Sequence, residues 1–174
     1  DMYCREGMRL AAGALRRVCE NGSDLAARSD MAMASLLGGL ALANAGLGAV
    51  HGFAAPIGGM FAAPHGAVCA ALLAPVTRVN LRALRERDPG GPALARYGES
   101  ARIITGDAAA LPEDLVLWLE ELCADLRIPP LRSYGVSEQD LLVLCEKAAR
   151  ASSMKGNAIA LDAAELLEAL RSAL

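Results

Sequence analysis

From Met31 to Thr77 the chain contains no Asp, Glu, Lys or Arg. A run of that length has to leave water, either in a folded core or in a bilayer, because nothing in it keeps its backbone and apolar side chains solvated. The bilayer alternative is weakened by what interrupts the run: Asn44, His51, His65, Pro56, Pro64, Pro75 and many glycines divide it into pieces. Small residues at close spacing let helices pack tightly against one another. The expectation is a buried helical core with no membrane partner.

Aromatic residues make up only 3% of the chain, β-branched residues are sparse, and Ala and Leu dominate. That balance favours helix over sheet, so the fold class expected is all-α, a helical bundle forming one domain over 1–174. The net charge is −3, and the basic residues Arg16, Arg17, Arg82, Arg85 and Arg87 are interleaved with acids. With few aromatics to stack on bases, nucleic-acid binding is not expected. The N-terminus lacks the basic head, apolar run and cleavage site of a secretory leader, which points to a cytoplasmic location. The five cysteines, Cys4, Cys19, Cys69, Cys123 and Cys145, form no C-x-x-C pair. They read as buried free thiols in a reducing compartment, not as a disulfide framework or a zinc knuckle.

Along the chain, Leu10, Ala14, Leu15 and Val18 recur on one face of an amphipathic helix over 2–21, closed by Asn21-Gly22. Ser23 and Asp24 suit the start of a second helix over about 24–50, apolar on every side and therefore expected to be surrounded by protein. Pro56 with Gly58-Gly59 should end or bend the next segment, Pro64 sits where a helix begins, and Pro75 should kink or break that helix. Residues 86–92 read as a loop. Helices are expected over about 92–105, 112–127 and 137–150, the last capped by Ser137 with Asp140 as its reciprocal partner, and a terminal helix over about 162–174.

The only two histidines, His51 and His65, lie inside the uncharged run, and each is followed by glycine at a break between helical segments. Taken alone, a histidine on an apolar face is more often a hydrogen-bonded core residue than a ligand. Their separation is not a local helical spacing, so a joint role requires the fold to bring two elements together. Two imidazoles are also fewer than the three or four protein donors of a durable zinc or ferrous site, and the run supplies no carboxylate.

The stretch NAGLGAVHGFAAPIGGMFAAPHGAVCAALLAPVTRVN, residues 44–80, resembles the signature of the iron-containing alcohol dehydrogenase family. The likeness is carried by Asn44, Gly46, Leu47, Gly48, His51, Gly52, Pro56, Gly58, Pro64, His65, Gly66, Ala70, Leu73, Pro75, Val76 and Asn80, and extends upstream to residue 21 and downstream through ASSMKGNAIALDAAELLEAL. The resemblance implies the all-helical C-terminal domain of such an enzyme, with Fe(2+) or Zn(2+) in its cleft, and His51 and His65 as two of the metal ligands. Phe53, Ala55 and Phe61 would line the substrate pocket.

The same resemblance implies metal-assisted hydride transfer between an alcohol or aldehyde and NAD(P), in an enzyme that is a homo-oligomer. The dinucleotide-binding domain, and the D-x-x-x-H motif carrying the other two ligands, are expected to precede Asp1. On that count of donors, weak or no metal is expected in this chain alone, which would then be inactive by itself. Ala55 stands where the family usually has a histidine associated with proton handling. The alternative expectation is a helical protein derived from that family that serves as a binding or assembly module, or has a repurposed cleft.

Overall fold

The computed structural model describes residues 1–174, and the fold is all-α. Eight α-helices run in chain order: α1 Met2–Glu20, α2 Leu25–Asn44, α3 Ala49–Met60, α4 His65–Arg87, α5 Pro92–Thr105, α6 Pro112–Asp125, α7 Leu141–Arg150 and α8 Ala163–Arg171, with 3-10 turns at Leu131–Tyr134, Glu138–Asp140 and Ser152–Gly156. The chain forms two compact units, one of residues 1–45 and 95–126, the other of 46–94 and 127–174.

In the first unit, α1 and α2 form a helical hairpin. Leu10 and Ala14 are the buried residues of α1, on the face its periodicity predicts. The Asp24 carboxylate accepts from the Ala27 N–H at 3.0 Å, which is the N-cap expected from Ser23-Asp24, and also receives Arg17 Nη2 at 2.7 Å. Arg5 reaches Glu99 on α5, and Arg16 reaches Asp125 on α6 while lying 5.0 Å from the centre of the Trp118 ring.

Two features of α2 depart from the sequence reading. It ends at Asn44 instead of running to 50, and only Ala27 is buried along it, so the helix is not surrounded by protein. Its apolar residues exceed what the hairpin partner α1 covers, leaving Leu25, Met33, Leu36, Leu40 and Leu42 exposed. Uniform apolarity shows that a helix has surface to cover, not that it is covered.

The second unit has α4 as its central helix. Val68, Leu72, Val76 and Val79 recur every three or four residues and are buried with Phe53 and Ile57 of α3, Leu141, Leu144 and Ala148 of α7, and Leu166 and Leu170 of α8. Arg82 and Arg87 on α4 make bidentate pairs with Glu168 and Glu165 on α8, at 2.7 and 2.7 Å and at 2.8 and 3.1 Å. These pairs hold one flank of the core helix to the terminal helix.

Neither Pro56 nor Pro75 ends the helix in which it sits. Around Pro75 the Thr77 hydroxyl donates to the Leu73 carbonyl at 2.7 Å, adding a bond in the turn where proline lacks an N–H. Helix α4 is also the one helix long and apolar enough to cross a membrane, and 61% of that apolar window is buried inside the fold. A core helix accounts for it, so the run does not indicate a membrane protein.

The thiols also differ from expectation. All five cysteines are free, but only Cys145 is buried, while Cys4 and Cys19 are exposed and Cys69 and Cys123 are partly covered.

Candidate metal centre

Helix α3 begins where it does because of a buried amide network. Asn157 Oδ1 accepts from the Ala49 backbone N–H at 3.1 Å, capping the first turn of α3 from a distant part of the chain. The same side chain exchanges bonds with Asn80 of α4, its Nδ2 donating to Asn80 Oδ1 at 2.7 Å while Asn80 Nδ2 donates back at 3.3 Å, and its Nδ2 also donates to the Ile159 carbonyl at 2.8 Å. Asn80 is only 2% exposed, so these bonds are made out of water.

The backbone approach that permits this needs glycine. A Cβ on Gly156 would stand 2.3 Å from the Leu47 carbonyl oxygen, and one on Gly48 would stand 3.0 Å from Asn157 Oδ1. The continuous helix that composition suggests over 24–50 is therefore replaced by an extended stretch, with a new helix starting at Ala49.

His51 lies in the first turn of α3 and His65 is the first residue of α4. The two rings face each other across the α3–α4 junction, with centroids 5.3 Å apart and planes inclined at 50°. The fold thus brings together the two imidazoles that lie far apart in sequence. Cys69, one helical turn beyond His65, joins them, its Sγ 3.5 Å from His65 Nε2 and 3.9 Å from His51 Nε2. One donor atom from each of the three side chains lies within 4.8 Å of the others.

Burial and then the neighbouring His65 hold the His51 imidazole below its ordinary value, favouring the neutral ring that coordinates a metal. Burial pushes the Cys69 thiol up. The set of two imidazoles and one thiol fits a transition-metal dication better than a hard, oxygen-seeking ion. Sequence reasoning treated Cys69 as an unremarkable thiol. The signal for it was the i, i+4 spacing from His65, which puts the two on one helical face.

The remaining predicted residues are distributed differently. Phe53 is completely buried in the core of the second unit, Ala55 is exposed one turn along α3 from His51, and Phe61 is partly buried against the core at the end of α3.

The family model for the Fe-containing alcohol dehydrogenase family, C-terminal, matches residues 1–174. The chain belongs to that family. A 1,3-propanediol dehydrogenase of Citrobacter freundii is 38% identical over 99% of this chain and 44% of its own length. Alcohol dehydrogenase 4 of Schizosaccharomyces pombe is 39% identical over 77% of this chain and 30% of its own. Among solved structures, a 1,3-propanediol oxidoreductase superposes with a TM-score of 0.87 at 32% identity, over 100% of this chain and 45% of that one. An alcohol dehydrogenase from Oenococcus oeni gives 0.85 at 30% identity, again over 100% and 45%. The chain spans less than half the length of these iron-containing alcohol dehydrogenase relatives.

Proposed function

We propose that this chain is the metal-binding helical part of an alcohol dehydrogenase-like oxidoreductase that interconverts an alcohol and an aldehyde with NAD(P). The observation that carries the reading is the convergence of His51 and His65 at the paired starts of α3 and α4, 5.3 Å between ring centroids. In this reading 1–174 is one metal-binding domain, and His51 and His65 hold Fe(2+) or Zn(2+). A bound dication supplies Lewis acidity, polarising a substrate oxygen.

The chain's own residues do the positioning. Asn157 fixes the turn that carries His51, and Phe61 with the α3 surface at Ala55 forms the wall on which a small alcohol rests. Phe53, buried beneath that surface, stiffens it from inside. Ala55 occupies the face one turn from His51 and, having only a methyl group, neither holds nor moves a proton. Proton transfer therefore falls to water or to a group other than residue 55.

The printed activities of the relatives, 1,3-propanediol dehydrogenase and lactaldehyde reductase among them, support a small alcohol or aldehyde as substrate. The exposed apolar residues of α2 support a homo-oligomer. The ion pairing of Arg5, Arg9, Arg16, Arg17, Arg82 and Arg87 with carboxylates supports a reading without nucleic acid, and the free thiols support a cytoplasmic location.

The test is metal content by mass spectrometry after anaerobic loading with Fe(II) and, separately, Zn(II). With two donors the wild-type chain should hold metal only weakly, and a His51→Ala/His65→Ala variant should hold none. Equal metal in the two would remove the basis of the assignment.

A further inference from the structure

We propose that Met154 is a positioning residue for His51: its side chain, laid over Gly52, sets the rotation of the first turns of α3 and so the direction in which the imidazole points. The proposal rests on the reading of His51 as a metal ligand and adds the residue that aims it.

The segment that carries Met154 touches the start of α3 at three points. Asn157 caps Ala49 at 3.1 Å, Gly156 lies against the Leu47 carbonyl, and Met154 covers Gly52. The first two act on backbone at the helix end, so they set where α3 begins but not how it is turned about its own axis. The third acts on the side of the helix. Gly52 is buried, and a Cβ built there would stand 2.7 Å from Met154 Cε and 3.6 Å from both its Sδ and its Cβ, the three nearest atoms all belonging to Met154. Only a residue without a Cβ admits that contact.

Successive side chains on a helix point about 100° apart. Phe53 is fully buried in the core, Gly52 is covered by Met154, and His51 is left to face His65 across the junction at 5.3 Å between ring centroids. The turn is held on two sides, and the third carries the imidazole. A ring at the outer radius of a helix, about 6 Å from its axis, travels about 2 Å when the helix rotates by about 20°. Metal–donor distances tolerate only about 0.2 Å, so a small loss of rotational control is enough to misplace a ligand.

Methionine suits this role because its unbranched, flexible side chain can lie along a backbone where a branched one would collide. Here it is also anchored. Met154 packs against the core of the second unit, its N–H donates to the Ala151 carbonyl at 3.0 Å, and its carbonyl accepts from the Asn157 N–H at 3.1 Å.

The experiment is nuclear magnetic resonance of the metal-free chain labelled at histidine, with Met154→Ala, Gly52→Ala and the double variant Gly52→Ala/Met154→Ala. The chain has only two histidines, so a cross-peak between their rings reports directly on how they face each other. Far-UV circular dichroism fixes a temperature at which each protein is folded, and Gly52→Ala, which raises helix propensity, keeps the test available should Met154→Ala fail to fold. The expected result is a cross-peak in the wild type that is lost in each single variant. It returns in the double variant, where the new methyl meets only the Cβ at 3.6 Å that alanine retains. An unchanged cross-peak in either single variant would overturn the proposal. Loss in both without recovery in the double variant would assign the effect to general loosening and overturn it as well. Neither result bears on whether His51 binds metal, which metal content reads separately.

Discussion

Replacing Asn157 by alanine should unfasten the start of α3 and with it His51. The substitution removes four hydrogen bonds: from the Ala49 N–H at 3.1 Å, the reciprocal pair with Asn80 at 2.7 and 3.3 Å, and the bond to the Ile159 carbonyl at 2.8 Å. Loss of the cap is worth about 1 kcal/mol. The bonds to Asn80, a side chain only 2% exposed, add about 2 kcal/mol once its desolvated amide loses them. The sum, about 3 kcal/mol, lowers the unfolding midpoint by about 6–12 °C for a chain of this size. Asn157→Asp keeps an acceptor for Ala49 and places a negative charge at a helix N-terminus, so it should recover about half of the loss. Urea unfolding followed by circular dichroism measures both. A loss below about 0.5 kcal/mol for Asn157→Ala, at the level of an ordinary surface substitution, would refute the claim that this network sets where α3 begins.

Three further predictions concern pH, packing and assembly. In the metal-free chain His51 is held below the ordinary imidazole value by burial and then by His65, so the unfolded state binds more protons there than the folded state does. Stability from this residue is complete above about pH 6.5 and falls as the pH drops from there towards the lower folded value; urea curves at neutral and mildly acidic pH should show a smaller decline in His51→Ala than in the wild type. Gly156→Ala would set a Cβ 2.3 Å from a backbone oxygen and should destabilise by about 2–3 kcal/mol, whereas Gly39→Ala, exposed in α2 with nothing within 4 Å, should stabilise by about 0.5–1 kcal/mol. Leu36→Glu with Leu40→Glu, both exposed on α2, should reduce self-association in sedimentation velocity without loss of helix content; an unchanged distribution of species would remove α2 from the interface.

The parts of the fold that local chemistry determines were legible in the residues. Leu10 and Ala14 marked the buried face of α1, Asp24 capped α2, Pro92 opened α5, and Asp140 received the Ser137 N–H at 2.9 Å as its reciprocal role requires. What escaped depended on contacts across the sequence. The interruption between α2 and α3 comes from Asn157 and Gly156, more than a hundred residues away, and no window around Ala45 contains that information. The exposure of α2 escaped because apolarity does not say where a helix's cover lies.

In the site, the family likeness supplied His51 and His65, and the fold brought them together. Cys69 was passed over because five scattered cysteines suggest no pattern until three-dimensional proximity selects one of them. Phe53, which the family likeness places at the pocket, is packed in the core beneath α3, and a sequence window does not show that burial.

The central claim, that His51 and His65 hold a divalent metal, is tested most directly by X-ray absorption at the zinc edge on the zinc-loaded chain and on the His51→Ala/His65→Ala variant. The account predicts imidazole scattering from nitrogen donors at about 2.0–2.1 Å in the wild type, lost in the variant. A first shell of oxygen donors alone, the same in both proteins, would contradict it.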